Sequence, residues 1–127
     1  MNVLIYDHSE VPDIHYQQRI RQLFSAIADA AIKFVNGILD ATWHIRHFRP
    51  DVIVFDWIGD CKAIRKLVTT LHGIKPGVAM FHLDGDGFIA TASVCGLPAG
   101  PAAPHWLQEM AADWIGARCV PVQTMSD

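Results

Sequence analysis

Residues 49–60 read RPDVIVFDWIGD. The residue before a proline is pushed out of the helical region, so Arg49-Pro50 ends whatever helix precedes it. Val52 to Phe55 then gives four apolar residues in a row. A short continuous apolar run is the mark of a strand covered on both faces. The run stops in Asp56, and Trp57 follows where a loop should begin. That carboxylate either caps a turn or stands at the C-terminal edge of a sheet as a reactive group.

The rest of the chain alternates in the same way. NVLIY, from Asn2 to Tyr6, reads as a first buried strand. A helix starting around Pro12 follows, with Tyr16, Ile20, Leu23, Ile27 and Ala31 on its apolar stripe. Ile32 to Val35 is a second strand, closed by Asn36-Gly37. A second helix carries Ile38, Ala41, Ile45 and Phe48, and Val52 to Phe55 is the third strand. A third helix buries Cys61, Ile64, Leu67, Val68 and Leu71 and stops near Gly73. Val78 to Phe81 is a fourth strand, and a last helix from about Pro104 buries Leu107, Met110, Ala111, Trp114 and Ile115. Short apolar strands separated by helices argue for a parallel sheet covered on both faces. In such sheets ligands sit beyond the C-terminal strand ends, where Asp7-His8, Asp56 and His82 would converge.

Residues 83–103, LDGDGFIATASVCGLPAGPAA, admit two readings. Asp84-Gly85-Asp86-Gly87 is a turn between antiparallel strands, with Phe88 to Val94 as the return. Alternatively Asp84 or Asp86 caps a short fourth helix through Cys95, followed by a fifth strand at Leu97 to Gly100. A parallel crossover needs about a dozen residues, so an all-parallel sheet requires the second reading, which is favoured on that ground.

Composition bounds the function. The 127 residues suit one domain, over 1–118, with 119–127 as a tail or the start of a linker. At 51% hydrophobic and 18% charged, the chain can bury a core. The net charge of -3, without a Lys/Arg cluster, gives no nucleic-acid footprint. No apolar run approaches the ~18 residues of a membrane span, and the N-terminus lacks the pattern of a signal peptide. Cys61, Cys95 and Cys119 have no CxxC spacing, which points to reduced thiols and a cytoplasmic setting.

VLIYD, RPDVIVFDW and GPAAPHWL, in that order and spacing, resemble the receiver domain of two-component response regulators, with "ILIVDD", "RPDLVLLDxxMP" and "KPFxPxxL" as the family's counterparts. Asn36-Gly37 resembles the family's NG before its second helix. The resemblance covers residues 2–116 and implies a flavodoxin-like, doubly wound parallel sheet of five strands, order 2-1-3-4-5, here with a shortened fourth helix. It implies that Asp56 is the phosphoacceptor for a partner histidine kinase. The family adds an acidic pair that binds Mg²⁺, a backbone carbonyl (here from Ile58), a Thr/Ser after strand 4, an aromatic switch residue and a Lys after strand 5.

This sequence departs at most of those positions. Asp7 matches the first acid, but His8 replaces the second. His82 replaces the Thr/Ser, Leu97 the aromatic switch residue, and Gly100 the Lys. Mg²⁺ prefers hard oxygen ligands and binds imidazole poorly. Without the Lys and the hydroxyl an aspartyl-phosphate loses its charge partner. The expected function is a pseudo-receiver that works by protein–protein interaction, with weak or no phosphorylation, no enzyme activity beyond that, and no resident cofactor. Mg²⁺ enters only if Asp56 is active. The alternatives are a conventional receiver phosphorylated on Asp56 and a small transition-metal binder using Asp7, His8, Asp56 and His82.

Other features read more plainly. His44 and His47 form a surface pair without an evident third ligand, and DGDG lacks the closing Glu of a calcium loop. YDHSEVP lacks the glycines of a phosphate cradle. Trp43 and Trp106 fall off their helices' main stripes. Trp106, with Met110, marks the face of fourth helix, fifth strand and last helix through which many receivers dimerise. A homodimer or a partner protein is expected there.

Overall fold

The computed structural model describes residues 1–7, 13–27, 30–55, 61–76, 78–84, 87–91 and 102–118, the side chains of 61–64, 67, 84 and 118 excepted. Its elements, in chain order, are β1 (Asn2–Tyr6), α1 (Ile14–Phe24), β2 (Ala31–Val35), α2 (Ile38–His47), β3 (Val52–Phe55), α3 (Cys61–Ile74), β4 (Ala79–Asp84), β5 (Gly87–Ala90), α4 (His105–Glu109) and α5 (Ala111–Arg118). The strands form one five-stranded sheet in the order β2-β1-β3-β4-β5. The first four run parallel, in register, with Tyr6 level with Val35 and Phe55, and Phe55 level with His82.

The period-two pleat sorts the strand residues onto two cores. Val3, Ile5, Val52, Val54 and Phe81 face α1 and the two C-terminal helices, where Ile20, Phe24, Leu107 and Trp114 meet them. Leu4, Ile53, Phe55 and Met80 face α2 and α3, against Ala41, Ile45, Val68 and Leu71. Each such side chain taken from water contributes about 1.5–3 kcal/mol. Trp114 is the largest fully buried side chain and sits edge-on to Phe24 and Phe88, with ring centroids at 6.0 and 5.5 Å. Its Nε1–H donates to the Tyr16 hydroxyl at 3.0 Å, which ties α1 to α5.

Helix boundaries follow local chemistry. Asp13 caps α1, its carboxylate accepting from the Tyr16 N–H at 3.0 Å, and Ser25 ends the helix. The stripe expected through Ile27 and Ala31 therefore stops at Phe24, and Ala31 opens β2. Arg49 takes a left-handed conformation (φ 53°) between α2 and β3. Its N–H donates to the His44 carbonyl at 3.3 Å, and Asn2 Nδ2 donates to the Phe48 carbonyl at 2.8 Å. The C-terminal helix, expected as one piece, is broken at Met110 into α4 and α5, with Pro104 leading in.

Two expectations need correction. The fourth strand runs on to Asp84 instead of ending at Phe81, so His82 lies inside it. The sheet is not all-parallel: β5 is antiparallel to β4, with Asp84 opposite Gly87, Leu83 opposite Phe88 and Phe81 opposite Ala90. Only Gly85 and Asp86 separate the paired ends. So short a link returns the chain as a hairpin, since a crossover needs about a dozen residues. Phe88, expected to belong to a short fourth helix, is a buried strand residue. The alternative fifth strand at Leu97–Gly100 lies outside the described residues.

Gln108, reaching from α4, closes the outer edge of β5. Its Oε1 accepts from the Phe88 N–H at 2.9 Å and its Nε2 donates to the Phe88 carbonyl at 2.7 Å. One amide thus bonds to Phe88 as a further strand would and blunts the edge at that residue. Gly87 suits this close approach, because a Cβ there would lie 3.3 Å from Gln108 Oε1.

Candidate functional site at the C-terminal strand ends

Parallel pairing brings the ends of β1 and β3 level with His82, two residues before the end of β4. Tyr6, Phe55 and His82 are cross-strand neighbours, and the Tyr6 and Phe55 rings lie 5.7 Å apart at 40°. Asp7 continues β1 by one residue, its N–H donating to the Val35 carbonyl at 2.7 Å, and its side chain is buried at 4% exposed. Neighbouring strands stand about 4.8 Å apart, so Tyr6 and His82 are held about 10 Å apart across β3, with Asp7 one residue beyond Tyr6. Asp56 follows Phe55 directly in the chain.

His82 is 8% exposed, and its Nδ1 shares a hydrogen bond of 3.0 Å with the fully buried Thr91 hydroxyl. Asp7 lines a pocket of about 160 Å³ with Gln17, Phe34, Val35, Asn36 and Asp40. Burial raises the Tyr6 phenol above its ordinary value, because the phenolate would lose hydration there.

Of the residues singled out from sequence, Asp7 directly follows β1, and His82 lies inside β4 beside the last residue of β3. Asp56, His8, Ile58, Leu97 and Gly100 lie outside the described residues, as do 119–127. Among the described residues no group of three His, Cys, Asp or Glu could hold a metal ion. Trp106 is half-buried against Phe24 (6.0 Å, edge-on), and Met110 is 7% exposed in the core. Sequence reasoning missed Thr91 and Gln108. Both were hidden by the favoured parallel reading: once Phe81 is set opposite Ala90, Thr91 comes within reach of His82.

A sheet of order 2-1-3-4-5 with helices on both faces is the flavodoxin-like arrangement found in receiver domains. Among solved structures the chain is similar to the receiver domain of NtrC4 from Aquifex aeolicus, with a TM-score of 0.53 and 17% identity over 91% of this chain and 94% of that one. This likeness establishes the receiver fold. No family model matches the chain, and no curated protein does. No described helix is long and apolar enough to cross a membrane.

Proposed function

We propose that the chain is a pseudo-receiver: a receiver fold kept as a module that binds a partner protein, with phosphorylation of Asp56 lost or vestigial. The direction of β5 carries this reading. In the receiver pattern a fifth parallel strand delivers a lysine to the site from its C-terminal end. Here β5 is antiparallel, so it starts beside Asp84 and runs away from the strand ends. The residue in the lysine register is Gly100. The hydroxyl position is taken by His82, whose imidazole is buried and bonded to Thr91.

The donor set does not suit Mg²⁺. Asp7 supplies a carboxylate, but the next residue is His8, and imidazole is a poor ligand for that ion. The module works without a resident cofactor and without catalysis. The partner is a protein, a histidine kinase among the candidates.

Acetyl phosphate with Mg²⁺, followed by intact-mass measurement, tests the proposal. No phosphate adduct is expected. An adduct removed by Asp56→Asn would establish the second reading, a conventional receiver. One observation favours that reading: the β1–β3 register pairs Tyr6 with Phe55, and the buried carboxylate of Asp7 follows Tyr6 directly.

A further inference from the structure

The solvent face of α2 carries three large apolar side chains where a surface helix is ordinarily polar. Leu39 is 83% exposed, Trp43 56% and Ile38 39%; among the described residues the other exposed large hydrophobic is Ile14 on α1. Trp43 is held in place by its own helix, 4.4 Å from the His47 ring at 33° and 5.0 Å from the His44 ring at 73°. An exposed indole already fixed loses little freedom on binding, and Trp is enriched among the residues that dominate interfaces.

The charges around this indole indicate what covers it. At 100° per residue, two positions seven apart lie almost on one line along a helix. Asp40 and His47 form such a line on one flank of Trp43, and Leu39 and Arg46 form another on the opposite flank. The acid is in the first turn and the bases His44, Arg46 and His47 are in the last. A two-fold axis through Trp43 sets two α2 helices antiparallel and brings each flank against its own reversed copy. Asp40 then meets His47 of the second copy, and Leu39 lies under the aliphatic stem of that copy's Arg46. The helix dipoles also oppose, which is favourable. A parallel pairing would set each flank against the opposite one, with Asp40 against Leu39 and His47 against the cationic Arg46 of the second copy. Asp40 already pairs with His44 at 3.2 Å, and its half-exposed carboxylate remains accessible to a second cation.

We infer that α2 is a self-association surface, and that two copies of this chain pair antiparallel through Leu39, Trp43 and the Asp40–His47 flank. A ten-residue helix is about 15 Å long, so the contact is small and the dimer weak and concentration-dependent. The pairing does not depend on the state of Asp56, so its failure and the failure of the pseudo-receiver reading are separate results.

Sedimentation velocity on the full chain over a concentration series tests it. A monomer–dimer equilibrium is expected. Trp43→Ala, and independently Leu39→Ser, should raise the dissociation constant about tenfold or more, both positions being exposed and outside the core. Trp106→Ala should leave it unchanged. Asp40→Lys and His47→Glu should each weaken the dimer, and the two combined should restore it, a rescue that damage to the helix alone would not give. A chain that stays monomeric throughout, a dimer indifferent to Trp43 and Leu39, or a double variant no tighter than the single ones would overturn the inference.

Discussion

Tyr16 and Trp114 stand 98 residues apart in the chain and share one buried hydrogen bond. The indole N–H has one hydrogen to give, so Tyr16→Phe leaves it without that acceptor. A loss of about 1–3 kcal/mol is expected, seen as a lower urea midpoint at unchanged slope. Tyr6 makes a different prediction. Its phenol is raised by burial, so the neutral form is favoured in the folded chain. The contribution to stability is complete below the unfolded value, about 10, and is lost as pH rises through the folded one. Phenolate absorbance should show a transition above that of free tyrosine, absent in Tyr6→Phe; a transition at the free value would contradict the burial seen here. At this scale much of the site could be read directly. Asp7 and His82 were legible because each ends or follows an apolar run. Thr91 was not, because a lone hydroxyl in IATAS acquires its partner only when the strand direction is known.

The elements divide along the same line. β1 and β3 are legible because each is an apolar run bounded by polar or turn residues, β2 because its apolar residues around Lys33 end in Asn36-Gly37, and α2 is legible between Gly37 and Pro50. The helix ends were harder. A capping aspartate at 13 outweighs a proline at 12, and Ser25 stops a stripe that the apolar spacing would have continued. The hairpin after β4 is one of two readings of residues 83–103, and four parallel strands favour the other. What periodicity could not show is that Gln108 would satisfy the exposed edge of the returning strand. That dependence can be measured. Gln108→Leu removes both bonds to Phe88 and uncovers the edge, so a loss of about 1–3 kcal/mol and faster aggregation on heating are expected. Unchanged stability together with unchanged aggregation would show that the edge is protected some other way.

For the molecule as a whole, the order 2-1-3-4-5 that the resemblance to receivers implies is the order found, and the likeness to a receiver domain agrees with it. The reversal of β5 is the departure that matters most among the described residues, because the strand beside β4 runs away from the mouth of the sheet. The frame that aligns Tyr6, Phe55 and His82 is that of a receiver, while the proposal turns on the residues in and around it, His8, His82 and Gly100. The account therefore separates fold from phosphotransfer. Beryllofluoride, which occupies the place of a phosphoryl group on an aspartate, probes that separation when titrated with Mg²⁺ and followed by backbone amide shifts. The pseudo-receiver account predicts no saturable shift. A tight, Mg²⁺-dependent complex that Asp56→Asn abolishes would contradict it.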